Sequence, residues 1–180
     1  MPVIDQAVTW AKVDERLATE TDPVLRRNLE TVRAHMLAEA AGDLDGLVAT
    51  LSDDVAYHAY SVPDVAEANP VGKAGVRKFY EDFIASGATK LQLDIDRLVV
   101  DRSCVLTEGT MRMAYPGRTL SARGIKVDDP DAFYLYETRM AVLWPLDDQG
   151  LVRGEDTYTS GDGFAGIADR KLRLEDIAGA

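Results

Sequence analysis

A chain of 180 residues with 46% hydrophobic and 28% charged residues has the balance of one soluble globular domain able to bury a sizeable core. Its formal net charge of −11 repels phosphate backbones and anionic lipid surfaces, and the short basic run "RKLRL" is too small to offset it, so neither nucleic acid nor membrane is an expected partner. One cysteine, Cys104, excludes an internal disulfide, and with two histidines the chain is expected to carry no His/Cys metal site and to work without a cofactor.

The N-terminal "MPVIDQAVTWAKVDERL" carries acids where a signal peptide carries bases, and no apolar run approaches the roughly 20 residues needed to cross a bilayer. A cytoplasmic location is therefore expected. Residues 4 to 19 read as a moderately amphipathic helix. "TETDPVLRRNLE" then restarts a helix, with Asp22 placed to cap it and Pro23 suited to its first position. Val24, Leu25, Leu29, Val32, Met36 and Ala40 form one apolar stripe that runs to about Ala41, where Gly42 is the expected C-cap. "DLDGLVATLS" predicts a short helix, "DDVAYHAYSV" an extended segment, and "KAGVRKFYEDFIASG" a further helix burying Val76, Phe79, Phe83 and Ile84.

From Lys90 onward the pattern becomes strands. "KLQLDIDRLVVDRS", "CVLTEGTMRMAYPGR", "FYLYETRMAVLWPLDDQG" and "LVRGEDTYTSGDG" are β-rich runs parted by Asp, Gly and Pro, with "DDQG" as a hairpin turn and "KVDDPDA" as a longer loop. "DDPD" lacks the ligand spacing and glycine of a calcium loop and reads as a turn. Helices followed by a meandering sheet predict an α+β fold.

Several strings carry a resemblance. "AAGDLDGLVATLSDDVAYH", "VGKAGVRKFY", "VLTEG" and "PLDDQGLVRGEDTY" look like the SnoaL-like branch of the nuclear transport factor 2-like superfamily. The resemblance implies a curved antiparallel sheet forming a cone, a cystatin-like α+β barrel with three or more helices packed on it. It divides the chain into an N-terminal helical extension (1–28), the cone domain (29–164) and a tail (165–180) predicted as a short helix. It also implies a homodimer and an apolar pocket for a small hydrophobic ligand of polyketide, terpenoid or steroid type.

The same fold serves catalysts and simple binders, so the reacting residues must be tested one by one. Against the ketosteroid isomerase pattern, the base falls on Ala59, the oxyanion tyrosine on His35 and the second acid near Val142; Tyr80 is kept. Against the limonene-epoxide hydrolase pattern, Tyr57 and Asp156 are kept, while Ala59, Gly109 and Met111 replace the asparagine, arginine and second aspartate. Neither reaction is expected unchanged.

Strand alternation extends these matches to an interior set. It comprises Val55, Tyr57 and Ala59; Thr107, Gly109, Met111 and Met113; Tyr136, Thr138, Met140, Val142 and Trp144; and Asp156 with Tyr158. In an enzymatic version Asp156 is the acid–base group and His35 and Tyr80 polarise an oxygen. Tyr57, Met111, Met113, Thr138, Met140, Trp144 and Tyr158 then line the substrate site. The alternative is a ligand-binding or dimeric interaction protein without turnover. His58 and Cys104 are expected outside, as are Glu108, Arg112, Glu137, Arg139 and Glu155, which alternation places in a cross-strand charge ladder.

Overall fold

The computed structural model describes residues 2–62 and 68–178. Its first helix, α1 (Val8–Leu17), is shorter than the predicted span, because Ile4 bridges Ile177 near the other terminus and the chain then turns at Gln6 and Ala7 into the helix. α2 (Pro23–Ala41) begins as the sequence dictates: Asp22 Oδ1 accepts from the amides of Val24 and Leu25 at 2.8 and 3.3 Å, and Pro23 occupies the first turn. It ends at Gly42, whose φ of 67° satisfies the left-handed C-cap. α3 (Leu44–Ala49), β1 (Leu51–Ala59) and α4 (Gly72–Ala85) follow, and then β2 (Leu91–Val100), β3 (Cys104–Pro116), α5 (Gly117–Ala122), β4 (Phe133–Pro145) and β5 (Val152–Ser160). The short helix α5 was not predicted; "PGR" was read as the end of a strand, whereas Pro116 turns the chain into one more helical turn.

The fold is α+β. The sheet order is β1-β5-β4-β3-β2, with a two-residue β6 (Lys171–Leu172) pairing with β4. It is mostly antiparallel, but β1 runs parallel to β5, a departure from the expected simple meander. Among its described residues the tail forms no α-helix: it holds two 3₁₀ turns, Ile167–Asp169 and Leu174–Asp176, on either side of β6. Short polar stretches with one turn's worth of apolar contact cannot sustain a longer helix.

One main core joins α1, α2, α4 and the inner face of the sheet, with Val13, Leu29, Val32, Val55, Val76 and Val105 all fully buried. A second cluster gathers Tyr115, Leu120, Tyr134 and Ile167 at the far end of β3 and β4. The outer face carries the predicted charge ladder: Arg139 pairs with Glu108 and Asp96, Arg97 with Glu108 at 2.8 Å, and Arg112 with Glu137 at 2.7 Å. Such exposed pairs contribute about 0–1 kcal/mol each.

Two irregularities set which residues point inward. Between Ile95 and Arg97 the β2–β3 pairing slips by one residue, and opposite lies Gly109, where an added Cβ would meet the Asp94 carbonyl oxygen at 2.0 Å. On β5, Leu146 opposes Val152 while Leu143 opposes Asp156, so three steps on β4 face four on β5. The extra residue lies at Gly154, whose Cβ position is 2.8 Å from the Ala56 carbonyl oxygen. These are β-bulges, and each shifts the inward and outward sets of its strand by one.

Candidate functional site

The apolar stripe of α2 carries two polar residues inward, because His35 lies three residues after Val32 and Glu39 three after Met36. Opposite them β1 presents Tyr57, α4 presents Tyr80, and β5 presents Glu155, which pairs in register with Tyr57. Together with Met111, Met113, Met140 and Trp144 these side chains surround a cavity of about 380 Å³.

His35 is fully buried at the floor of this polar cluster. The Thr50 hydroxyl donates to the Leu47 carbonyl at 2.6 Å, so its oxygen is left to accept from His35 Nδ1, 2.8 Å away. The imidazole therefore carries its proton on Nδ1 and offers Nε2 as an acceptor. Two tyrosine hydroxyls approach that nitrogen, Tyr80 at 3.2 Å and Tyr57 at 3.4 Å. Tyr80 also lies 3.4 Å from Glu155 Oε2, so one hydroxyl can donate to the imidazole while the other donates to the carboxylate. Contacts of this length exceed the usual O–H···O distance, which leaves the hydroxyls free to re-aim toward another oxygen. The ring packs edge-on against Trp144, with centroids 5.2 Å apart.

Burial dominates the electrostatics. It pushes the His35 imidazole down to about 3, so the ring is neutral at physiological pH. It lifts Glu155 to about 7, opposed by hydrogen bonds from Tyr80 and Tyr57, and lifts Glu39 to about 8 with the Glu155 charge adding to the effect. Both carboxyl groups face the cavity yet are enclosed by protein, so their ionised forms lack full hydration. Near neutral pH the pair shares roughly one proton. Burial also raises both tyrosine hydroxyls well above their usual range, so they act as donors and not as phenolates.

The predicted residues divide accordingly. Tyr57, His35, Tyr80, Met111, Met113, Met140 and Trp144 converge on the cavity or its polar floor. Thr138 is buried but turns its hydroxyl to the Ser160 carbonyl at 3.1 Å and does not line the cavity. Asp156 and Tyr158 lie on the opposite side from where alternation put them: Asp156 Oδ1 meets His58 Nδ1 at 2.7 Å on the outer face, and Tyr158 is 46% exposed and stacked on Tyr60. The Gly154 bulge is the physical reason, since it advances β5 by one residue and brings in Glu155. Glu155 was thus misassigned to the outer ladder. Glu39, one turn after His35, carries no role in the sequence reading although its signal is legible, seven residues after Val32 and three after Met36 on the buried stripe.

Exchanging Thr50 for valine is expected to move the imidazole proton, because Nδ1–H loses its acceptor while Nε2–H gains tyrosine oxygens. Long-range ¹H–¹⁵N correlation should report Nδ1–H in the parent and Nε2–H in Thr50→Val, with a stability loss of about 1–3 kcal/mol. An Nε2–H tautomer in the parent protein would contradict the hydrogen-bond order given above.

With this geometry in place, residues 32–129 match the family model of the SnoaL-like domain. The chain belongs to the SnoaL-like family. The SnoaL-like chain also shares its fold with solved structures at low identity. An NTF2-like protein from Anabaena variabilis is 17% identical, with 81% of this chain and 97% of that chain covered at a TM-score of 0.57. A protein from Shewanella putrefaciens, provisionally described as a SnoaL-like polyketide cyclase, is 14% identical over 89% of this chain and 91% of its own at a TM-score of 0.63. TerC, co-crystallised with polyporic acid, is 14% identical over 79% of this chain and 98% of its own at a TM-score of 0.58. No curated protein matches the chain in sequence. Among the described residues no helix is long and apolar enough to cross a membrane, and no group of three or more His, Cys, Asp or Glu side chains is placed to hold a metal ion.

Proposed function

We propose that the cavity binds a small, mainly apolar molecule and catalyses cofactor-free proton transfer at a carbon beside a carbonyl group. That step opens an isomerisation, an aldol-type cyclisation or a dehydration of a polyketide-, terpenoid- or steroid-like compound. The observation carrying this reading is Glu155, a carboxylate raised to about 7 in a methionine-lined cavity within hydrogen-bonding reach of Tyr80 and Tyr57. A base is most effective when its pKa lies near the working pH, and burial brings a glutamate there.

In the forward step Glu155 takes the proton from carbon and the electron pair moves onto the carbonyl oxygen. Glu39, held protonated by its own raised pKa of about 8, and the Tyr57 hydroxyl are the donors available to that developing oxyanion. His35 acts as a positioning residue, since its Nε2 lone pair accepts from one tyrosine hydroxyl without taking up charge and so leaves the other to donate elsewhere. Binding without turnover is the second reading, and the missing isomerase and hydrolase residues favour it.

The bicyclic ketone 2-tetralone separates the two. It is apolar, fits a cavity of about 380 Å³ and has acidic hydrogens beside its carbonyl. Incubated with the protein in D₂O at pD 7.5, it is expected to exchange those hydrogens well above the buffer rate, followed by proton NMR. Saturable binding with no acceleration would leave the protein a binder and remove the catalytic reading.

A further inference from the structure

The cavity has a second pole that the proton-transfer site does not use. At the far end of β3 and β4, Tyr115, Tyr136 and Phe164 form an aromatic cluster, with centroids 4.8 to 5.7 Å apart. Gly163 makes it possible, because a Cβ there would fall 2.3 Å from the Tyr136 ring. Over this cluster lies Arg123, its guanidinium carbon 5.2 Å from the Tyr115 ring centre and 5.5 Å from that of Phe164. Arg123 takes part in none of the ion pairs among the described residues, in a chain of net charge −11 whose arginines are mostly paired. It lines both the cavity and a wider surface groove of about 680 Å³, and so stands at the mouth between them.

From these placements we propose that the ligand is an elongated amphiphilic carboxylate, held with its anionic head on Arg123 and its apolar body reaching toward Glu155. The inference rests on the cavity being a ligand site, as argued above, and adds the ligand's class and direction. Two observations fix the direction. Glu155 and Glu39 share a desolvated pole that carries negative charge at neutral pH, so an anionic head is repelled there. Arg123 supplies a cation with no carboxylate partner among the described residues, and its stacking on two rings, with a hydrogen bond to the Tyr115 hydroxyl, holds in place a fork whose remaining donors match a carboxylate. The two poles lie toward opposite ends of β4, one beside Tyr136 and the other beside Trp144, so the cavity is elongated along that strand. Between them Met113, Met111 and Met140 offer a deformable apolar wall suited to a long hydrocarbon body.

The test compares the fluorescent polyene fatty acid cis-parinaric acid with its methyl ester at pH 8, where the acid is fully ionised. The acid should bind about ten-fold or more tightly than the ester. Arg123→Gln, an exposed substitution, should erase that difference while leaving ester affinity unchanged, and Arg123→Lys should restore part of it. If the ester binds and the acid binds no better, or if Arg123→Gln weakens both alike, the anion pole is wrong while the apolar cavity stands. If neither molecule binds, both fall.

Discussion

Glu155→Gln is expected to slow the exchange of 2-tetralone by about 100-fold or more, the scale on which a positioned general base contributes. Glutamine keeps the volume and both hydrogen-bonding atoms of the side chain, so the cavity wall persists and affinity for the ketone should change little; the lost function is proton acceptance. Asp156→Asn is the decisive companion. It alters a carboxylate one residue away that sits on the outer face against His58 with the imidazole 48% exposed, and exchange should stay within about two-fold of the parent. Equal losses in the two variants would mean that a common fold defect, and not the carboxylate at the cavity, controls the rate. A loss confined to Asp156→Asn would place the reacting group on the wrong face of β5.

Stability should fall as pH rises from about 5 to 8. In the unfolded chain Glu39 and Glu155 titrate near 4.5, whereas in the fold they hold their protons to about 8 and about 7. Across that window the native protein binds more protons than the unfolded chain, and stability is lost with increasing pH at about 1.4 kcal/mol per unit for each fully shifted group. His35 acts in the opposite sense: neutral in the fold down to about 3 but titrating near 6.5 when unfolded, it makes stability climb up to 6.5 and then adds nothing further. Two carboxyl groups outweigh one imidazole, so the net slope is downward. Surface aspartates such as Asp54 and Asp96, lowered by hydrogen bonds from Arg153 and Arg139, act below their ordinary range and leave this window alone. In Glu39→Gln/Glu155→Gln only the histidine contribution survives, and the slope between pH 5 and 6.5 should reverse. Urea midpoints at pH 5, 6.5 and 8 measure both proteins; parent stability that rises across the series would show the carboxyl groups to be hydrated and freely ionised.

Much of the frame was legible in the sequence because local chemistry settles it. Asp22 and Pro23 start α2 and Gly42 ends it through backbone groups that have few other ways to be satisfied. The β3 and β4 alternation needed only regular pairing, and those strands keep one register throughout, so Met111, Met113, Met140 and Trp144 fell on the expected side. β5 failed for a non-local reason. The glycine at 154 announces flexibility, but the need for an extra residue there comes from the close approach of the Ala56 carbonyl, which belongs to a strand almost one hundred residues earlier. Glu39 is a different case: its helical spacing points inward, and a charged residue facing the cavity is itself a functional signal.

The bulge at Gly154 gives β5 two reading frames. Ahead of it even-numbered residues such as Val152 face the core; beyond it odd-numbered ones do, so Glu155, Thr157 and Thr159 reach the cavity while Asp156 and Tyr158 meet solvent. With carboxylates adjacent at 155 and 156, either frame would deliver an acid to the same place. A one-residue insertion or deletion at this corner would therefore exchange a long acid for a short one, and threonines for tyrosine, without a single point mutation inside the cavity.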